Sequence, residues 1–374
     1  MAKRQEQEPA RPEVVEVARD VLRMELPIRL PGLGHVNCYA ILDANGAAVV
    51  DPGLPGPLTW SALQDRLRQA GLAVKDVHTV LVTHSHPDHF GCAVRFAKES
   101  GAKVVAHRSF HFGPHGGDLP EASVDDLAAH HRHAHGDPAD EEEEDVPETL
   151  RTALDEANEI LARAQVTGRT PWGGQRPRPP FLVRLKWQAA RFLGKSFIPT
   201  ITHPVEHGDV LQLAGREWFV VHTPGHTSDH FCLHDPDEQL MLAGDHVLPT
   251  ITPHISGIAS SPDPLASFFY SLDRVAEIQG VDQVLPAHGH PFTDLPARTE
   301  AIKRHHVERL DKVKGISREL GPATVQAFSQ RLFKPRSWGA MAESETYAHL
   351  EHLRIAGDAE RREDPGGALI YQTS

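Results

Sequence analysis

The sequence has little of what marks secreted or membrane-spanning proteins. Its three cysteines, Cys38, Cys92 and Cys232, are an odd number at wide spacing in largely apolar surroundings. We therefore predict no disulfide framework and a reducing compartment. No apolar run reaches the length of about 18 residues that a spanning helix needs. The polar start, Met1 to Pro12, contains no apolar signal-peptide core, so we expect a cytoplasmic protein.

Positive charge is also in short supply. Lysine and arginine together number 38 against 51 aspartates and glutamates, which leaves a net charge of -13. This deficit argues against a general polyanion-binding protein and makes nucleic acid an unexpected partner. Hydrophobic residues make up 40% and charged residues 24% of the chain, which excludes a wholly disordered or fibrous protein. The length of 374 residues allows one large domain with an appendage, or two domains.

Histidine is abundant by contrast, with 26 residues, and this excess prompts a search for metal ligands. The densest group follows a predicted strand at residues 77–82 and reads Thr83-His84-Ser85-His86-Pro87-Asp88-His89. A loop at a strand end can turn alternate side chains toward one point. Imidazole and carboxylate are the ligand types expected for zinc, iron or manganese. Taken alone, the segment could also be a histidine-rich surface loop.

Three further candidates occupy the same position relative to a strand. They are His226, Asp245 and His288. The strands that precede them are predicted at residues 217–222, 240–243 and 283–285. Because loops at one edge of a sheet can converge, we expect these side chains to meet the first group in one site.

These motifs, together with Asp51 in Asp51-Pro52-Gly53, resemble those of the metallo-β-lactamase superfamily. The resemblance spans about residues 14–300. It implies an α/β fold, the αββα sandwich, with a two-metal site at one edge of the paired sheets.

The resemblance also implies a role for each motif residue. Seven of them would be metal ligands, in two groups that share Asp245 as the bridge. The groups are His84, His86 and His226 for one metal, and Asp88, His89 and His288 for the other. Asp88 could also accept or relay a proton, and Asp51 would orient the ligand loop through hydrogen bonds. Two divalent ions per chain are implied, with zinc expected and iron or manganese as alternatives.

The fourth motif indicates the branch of the superfamily. The commonest zinc β-lactamases carry cysteine at the position of Asp245 and lack a ligand at the position of His89. This chain has the full set of the glyoxalase II, lactonase and nuclease-like branches, so destruction of antibiotics is disfavoured. Residues 33–39 and 222–230 look most like the lactamase-beta-2-like and glyoxalase II-like groups.

The function implied is a dinuclear metal-dependent hydrolase in which a metal-bridging hydroxide attacks a small ester, thioester or lactone. Such an enzyme acts on a small-molecule substrate and needs no nucleophilic cysteine. Two alternatives use the same scaffold: an endoribonuclease of the lactamase-beta-2-like type, and a mononuclear iron dioxygenase acting on persulfides. A non-catalytic regulator is disfavoured because no ligand is missing.

The rest of the chain suggests three parts. Residues 1–13 are expected to be a disordered leader, and residues 14–300 the catalytic domain with a long, partly helical insertion at about 107–200. Residues 301–374 should form a helical, winged-helix-like C-terminal domain, with a helix near 343–356 and a charged turn at 358–367. The apolar and basic segment 181–195 could be a lid, a homodimer contact or ordinary core packing. The overall acidity disfavours a role at a membrane surface.

Overall fold

The computed structural model describes residues 4–30, 32–112, 148–174, 197–258 and 261–374. Its first sheet has seven strands in the order β1-β2-β3-β4-β5-β6-β7. The first four strands pair antiparallel, and β4 to β7 pair parallel. The strands are β1 (Val14–Ala18), β2 (Val21–Leu30), β3 (Leu33–Asp43), β4 (Gly46–Val50), β5 (Val77–Val82), β6 (Lys103–His107) and β7 (His203–Val205).

The second sheet has five strands in the order β12-β11-β10-β9-β8. Strands β11 and β12 pair parallel, and the other neighbours pair antiparallel. The strands are β8 (Val210–Leu213), β9 (Arg216–His222), β10 (Phe231–Asp235), β11 (Leu240–Gly244) and β12 (Gln283–Pro286). Every strand predicted ahead of a candidate ligand is therefore present, and these strands lie in two sheets.

Helices cover the outer faces of both sheets. They are α1 (Pro57–Gln69), α2 (Pro87–Phe90), α3 (Ala93–Glu99), α4 (Glu148–Thr167), α5 (Pro264–Ala276), α6 (Leu295–Leu320), α7 (Val325–Leu332) and α8 (Ala340–Ile355). The described helices include none that is long and apolar enough to cross a membrane.

The burial of alternate strand residues explains the layering. Val80 and Val82 of β5 pack with Phe96 of α3 in one core cluster. Leu81, between them, belongs instead to the cluster between the sheets, with Trp218 of β9. Because side chains alternate along a strand, an apolar run such as β5 can be buried on both faces. The layers follow the order helix, sheet, sheet, helix, so the predicted αββα architecture is confirmed.

A hairpin connects β3 and β4. Asp43 pairs with Gly46 across the turn, and the Asn45 amide donates to the Asp43 carboxylate at 2.7 Å. Gly46 has a φ of 134°, and a Cβ at this position would collide with the Asp76 carbonyl oxygen. The turn therefore requires glycine both for its backbone conformation and for the close approach of a neighbouring segment.

The N-terminal segment differs from the disordered leader that we predicted. Residues 4–13 are placed, and Glu6, in a short 3-10 turn, is fully buried. The Glu6 carboxylate accepts hydrogen bonds from the amides of Thr250 at 2.8 Å and Ile251 at 3.1 Å, and from the Thr250 hydroxyl. These bonds satisfy backbone donors of a loop more than two hundred residues away, which a polar composition does not reveal.

The C-terminal elements form a small third sheet beside three helices. Its order is β13-β15-β14, with β13 (Ala323–Thr324), β14 (Ala359–Glu363) and β15 (Leu369–Thr373). The predicted charged turn at 358–367 is wrong in part, because residues 359–363 pair with β15 and only the residues beyond them turn. The predicted boundary at residue 300 falls within α6, and Val313 and Phe328 share a core cluster with Met241 of the second sheet.

The predicted insertion at 107–200 leaves the first sheet at β6 and returns at β7, which pairs with β6. Its helix α4 packs on the C-terminal elements, where Arg163 forms an ion pair of 2.7 Å with Glu363. Trp172 donates its indole N–H to Glu343 at 3.0 Å. The segment 181–195, for which we predicted a lid, dimer or packing role, lies outside the described residues, and that role stays a prediction.

Candidate metal centre

The loop after β5 carries four of the candidate side chains at one end of the first sheet. The chain leaves β5 at Val82, and α2 begins at Pro87, a residue whose fixed φ suits the first turn of a helix. His84 and His86 precede this helix, while Asp88 and His89 lie within it. The change from extended to helical backbone lets neighbouring residues face two different groups of partners.

Three imidazoles and one carboxylate form the first group. The ring nitrogen His86 Nδ1 lies 3.0 Å from His84 Nε2 and 3.1 Å from His226 Nε2. Asp245 Oδ2 lies 3.6 Å from His226 Nε2 and 3.9 Å from His84 Nε2. Nitrogen ligands of a tetrahedral zinc ion are about 3.3 Å apart, so these separations are consistent with atoms that share one cation.

The second group consists of Asp88, His89 and His288. Asp88 Oδ2 lies 3.7 Å from His89 Nε2 and 3.7 Å from His288 Nε2. Asp245 also reaches this group, with Oδ1 at 3.3 Å from His288 Nε2 and Oδ2 at 3.6 Å from His89 Nε2. The Asp245 carboxylate thus stands between the two groups, which together are consistent with a dinuclear metal site.

Unpartnered atoms provide an independent test of this fit. His89 Nε2, His288 Nε2 and Asp245 Oδ1 are buried and find no aligned hydrogen-bond partner among the described residues. Leaving a buried polar atom unpaired costs about 1–3 kcal/mol, so such atoms need an explanation. All three face the space between the groups, and two divalent cations would satisfy them.

The electrostatics of the first group favour ligands in the neutral state. Burial, followed by the neighbouring imidazoles, lowers the pKa of His84 and His86 well below the usual range. Burial acts in the opposite sense on Asp245, but His288 and His89 outweigh it and hold the pKa of this carboxyl well below its usual value. His84 and His86 therefore present free imidazole lone pairs, and Asp245 a carboxylate, which are the forms that bind metals.

In His226 and His288, the ring nitrogen that points away from the site donates to a backbone carbonyl. His226 Nδ1 donates to the carbonyl of His254 at 2.7 Å, and His288 Nδ1 donates to the carbonyl of His35 at 2.7 Å. An imidazole that donates through Nδ1 keeps its lone pair on Nε2, which in both rings faces the site. The sequence predicts neither acceptor, because every residue has a backbone carbonyl and no residue type indicates which one accepts the hydrogen bond.

Asp51 is hydrogen-bonded to the loop after β5. Its Oδ1 accepts from the Thr83 amide at 2.9 Å, and its Oδ2 accepts from the Thr83 hydroxyl at 2.8 Å and from His89 Nδ1 at 2.9 Å. Asp51 has a φ of 53°, a left-handed conformation that is uncommon outside glycine. This unfavourable backbone conformation occurs where the Asp51 carboxylate connects the end of β4 to the loop after β5.

Two further residues support the site from behind. Asp229 is buried and accepts from the Ser85 hydroxyl at 3.0 Å, and burial raises the pKa of Asp229 to about 7 even though Thr227 and Ser85 lower it. His230 Nε2 accepts from the Asp245 amide at 3.0 Å. A Cβ on Gly244 would lie 2.5 Å from this same nitrogen, so the glycine before Asp245 is required for the approach of His230. Gly244 is therefore the residue in the sequence that indicates this close approach.

Comparisons with known proteins are consistent with this geometry. Atrochrysone carboxyl ACP thioesterase dmxR1 of Cryptosporiopsis sp. (strain 8999) is 30% identical over 155 residues, which are 41% of this chain and 45% of that protein. Acyl-coenzyme A thioesterase MBLAC2 of Homo sapiens is 30% identical over 109 residues, 28% of this chain and 37% of that protein. The chain thus spans less than half the length of the curated relatives it matches.

Solved structures match over nearly the whole chain. A metallo-beta-lactamase family protein from Thermus thermophilus superposes with a TM-score of 0.67 at 26% identity, covering 96% of this chain and 100% of that one. A beta-lactamase domain protein from Burkholderia ambifaria gives a TM-score of 0.69 at 25% identity, covering 98% and 96%. The family model described as Metallo-beta-lactamase superfamily matches residues 31–316, and the chain belongs to that superfamily.

Proposed function

We propose that this protein is a metal-dependent hydrolase whose substrate is a small thioester, with esters and lactones as related substrates of the same chemistry. The observation that carries the proposal is the position of Asp245 between two complete groups of ligand atoms. A single-metal enzyme needs only one such group. Two relatives, an acyl-carrier-protein thioesterase and an acyl-coenzyme A thioesterase, favour thioesters among the three substrate classes.

The proposed ligands follow from the two groups. His84, His86 and His226 would hold one ion, Asp88, His89 and His288 the other, and Asp245 both. Histidine nitrogens with carboxylate oxygens are a donor set that suits zinc. Two divalent ions bound there would supply Lewis acidity and a water of lowered pKa.

The chain's own residues would orient and serve this chemistry. Asp51 holds the ring of His89, and the His254 carbonyl holds the ring of His226. Asp88 is the residue proposed to accept or relay a proton at its carboxylate, whose Oδ2 lies 3.7 Å from His89 Nε2 and from His288 Nε2. The thiols take no part, because Cys92 and Cys232 are buried and burial raises the pKa of each to about 12.

The C-terminal elements support a finer placement within the superfamily. Helices α6, α7 and α8 are followed by the pair β14 and β15, and β13 joins the same sheet. We assign this arrangement as the winged-helix-like appendage of the lactamase-beta-2-like group. The endoribonuclease of that group is the less favoured activity, because the chain carries a net charge of -13. A cytoplasmic location and a homodimer stay predictions.

Metal depletion and reloading test the proposal. The purified full-length protein would be treated with a chelator, reloaded with zinc, and assayed on an acyl-coenzyme A thioester, an oxygen ester, a lactone and a single-stranded RNA. We expect thioester hydrolysis that disappears on depletion and returns with zinc. His226→Ala should abolish it, while His78→Gln, on β5 outside the site, should not. Hydrolysis of RNA alone, or one bound iron without hydrolysis, would overturn the proposal.

A further inference from the structure

We propose a third cation site, separate from the dinuclear centre, formed by His306 of α6 together with Glu345 and His349 of α8. Each of the three offers a ligand atom, and these atoms all lie within 4.8 Å of one another. Imidazole and carboxylate ligands suit zinc or a similar divalent cation. The inference does not depend on the proposed hydrolase activity.

Helix geometry brings the three side chains together. Glu345 and His349 are four residues apart, so they lie on the same face of α8 one turn apart. His306 faces them from α6, and its Nδ1 lies 3.1 Å from His349 Nε2. This separation matches the distance of about 3.3 Å between two nitrogen ligands of one tetrahedral zinc ion.

The hydrogen bonds of the cluster direct a lone pair into it. His349 Nδ1 donates to the carbonyl of Glu345 at 2.7 Å, so its Nε2 carries the lone pair that faces His306. Both rings are fully buried. His306 Nδ1 faces that lone pair, while Nε2, on the other side of the His306 ring, has no hydrogen-bond partner in the part of the chain that the structure describes. A bound cation would be coordinated by the two nitrogens that face each other, His306 Nδ1 and His349 Nε2.

The surroundings limit the affinity of such a site. Arg309 forms an ion pair with Oε1 of Glu345, and His254 Nδ1 lies 3.4 Å from Oε2. The guanidinium charge opposes a cation nearby, so the third site should bind zinc more weakly than the dinuclear centre does. Weaker binding makes the third site distinguishable in a titration.

The position of the cluster suggests what the cation would stabilise. It would join α6 to α8 beside the loop of His254, and the carbonyl of His254 is the acceptor that holds His226. A cation there would therefore brace the C-terminal helices against a loop that supports the dinuclear centre. Occupancy should raise the melting temperature of the folded protein, because a ligand that binds only the folded state stabilises it.

Counting bound zinc tests the site. Metal-depleted full-length protein would be titrated with zinc in the presence of a competing chelator, with melting curves recorded at each occupancy. We expect two tight equivalents and a weaker third that raises the melting temperature. In His349→Gln and in Glu345→Gln the third equivalent should bind at least about tenfold more weakly, since even loss of an outer partner costs that much. His305→Gln, adjacent but outside the cluster, should keep all three.

Two results would overturn the proposal. One is saturation of the wild-type protein at two equivalents, which would make the cluster a hydrogen-bonded contact between helices. The other is a third equivalent that persists in both glutamine variants, which would place it elsewhere, for example in the histidine-rich residues 130–135. If His349→Gln fails to fold, the partly exposed Glu345 still allows the decision through Glu345→Gln.

Discussion

Asp51 and His89, 38 positions apart in the chain, are joined by a buried hydrogen bond of 2.9 Å from His89 Nδ1 to Asp51 Oδ2. This bond fixes the ring so that Nε2 faces Asp88 and Asp245. The same carboxylate oxygen also accepts from the Thr83 hydroxyl, so one side chain orients a candidate ligand and holds the loop that carries it. A carboxylate behind a ligating histidine also raises its basicity toward a cation.

Replacing Asp51 by Asn should weaken the second metal more than the first. The asparagine side chain is uncharged and has one acceptor oxygen where the carboxylate has two. The ring of His89 is therefore held less firmly. We expect the affinity for the second zinc to fall by about 10–100-fold. Zinc titration measures it, with Asp43→Asn as control, because the Asp43 carboxylate contacts His78 and the Asn45 amide at the far end of β5 and none of the candidate ligands. Equal affinities in variant and wild type would contradict the role of Asp51.

Replacing Asp245 by Ala should reduce occupancy of both metals, because its carboxylate reaches both groups of ligand atoms. Asp88→Ala is the matched comparison, since Asp88 belongs to the second group alone. Elemental analysis of the two variants should therefore show near-complete loss of zinc in one and about one retained equivalent in the other. Retention of a full equivalent in Asp245→Ala would rule out the bridging position.

Removing all three cysteines should leave hydrolysis largely intact. The buried thiols of Cys38, Cys92 and Cys232 contribute packing, so we expect each replacement by Ala to cost about 1 kcal/mol of unfolding free energy. The value of kcat/KM per zinc-loaded molecule should change little, whereas a chelator should abolish turnover. A thiol-blocking reagent that inactivates the folded, zinc-loaded enzyme would show that a cysteine takes part.

Gly244→Ala should disturb both stability and metal binding. The new Cβ would contact His230 Nε2, which accepts from the Asp245 amide, and the residue has a φ of 50°. Gly71→Ala is a control of backbone strain alone, because Gly71 has a φ of 74° and no atom within 4 Å of its Cβ. We expect Gly71→Ala to cost about 1 kcal/mol and Gly244→Ala to cost about 1–3 kcal/mol more. Urea unfolding compares the two, and an equal cost would show that the contact does not matter.

Glu6→Ala should destabilise the fold although the residue lies near the start of the chain. It removes the fully buried acceptor of two partly buried hydrogen bonds, from the backbone amides of Thr250 and Ile251. Leaving them unpaired should cost about 1–3 kcal/mol in unfolding free energy. The exposed Glu16→Ala provides the comparison and should change stability by less than about 0.5 kcal/mol. A Glu6→Ala variant as stable as Glu16→Ala would mean that water replaces the carboxylate at no cost.

Local patterns were enough to predict most of the architecture and the convergence of the seven candidate ligand side chains. The apolar run that ends at Val82 predicts a strand, and the residues after it must emerge at the strand end. Because the polar groups after β5, β9, β11 and β12 share this position, their convergence follows from the packing of two sheets. Proline at the start of α2 and glycine before Asp245 are local signals of the same kind.

The partners behind the ligands were decided by tertiary structure alone. His226 is held by the carbonyl of His254, and His288 by that of His35, which is 253 positions away. A backbone carbonyl is present at every residue, so no residue type indicates which one will be used. The burial of Glu6 and the meeting of His306 with His349 likewise depend on how distant segments pack. Hydrogen bonds between such segments depend on the spacing that the packed apolar layers set, and periodicity within one segment carries no information about that spacing.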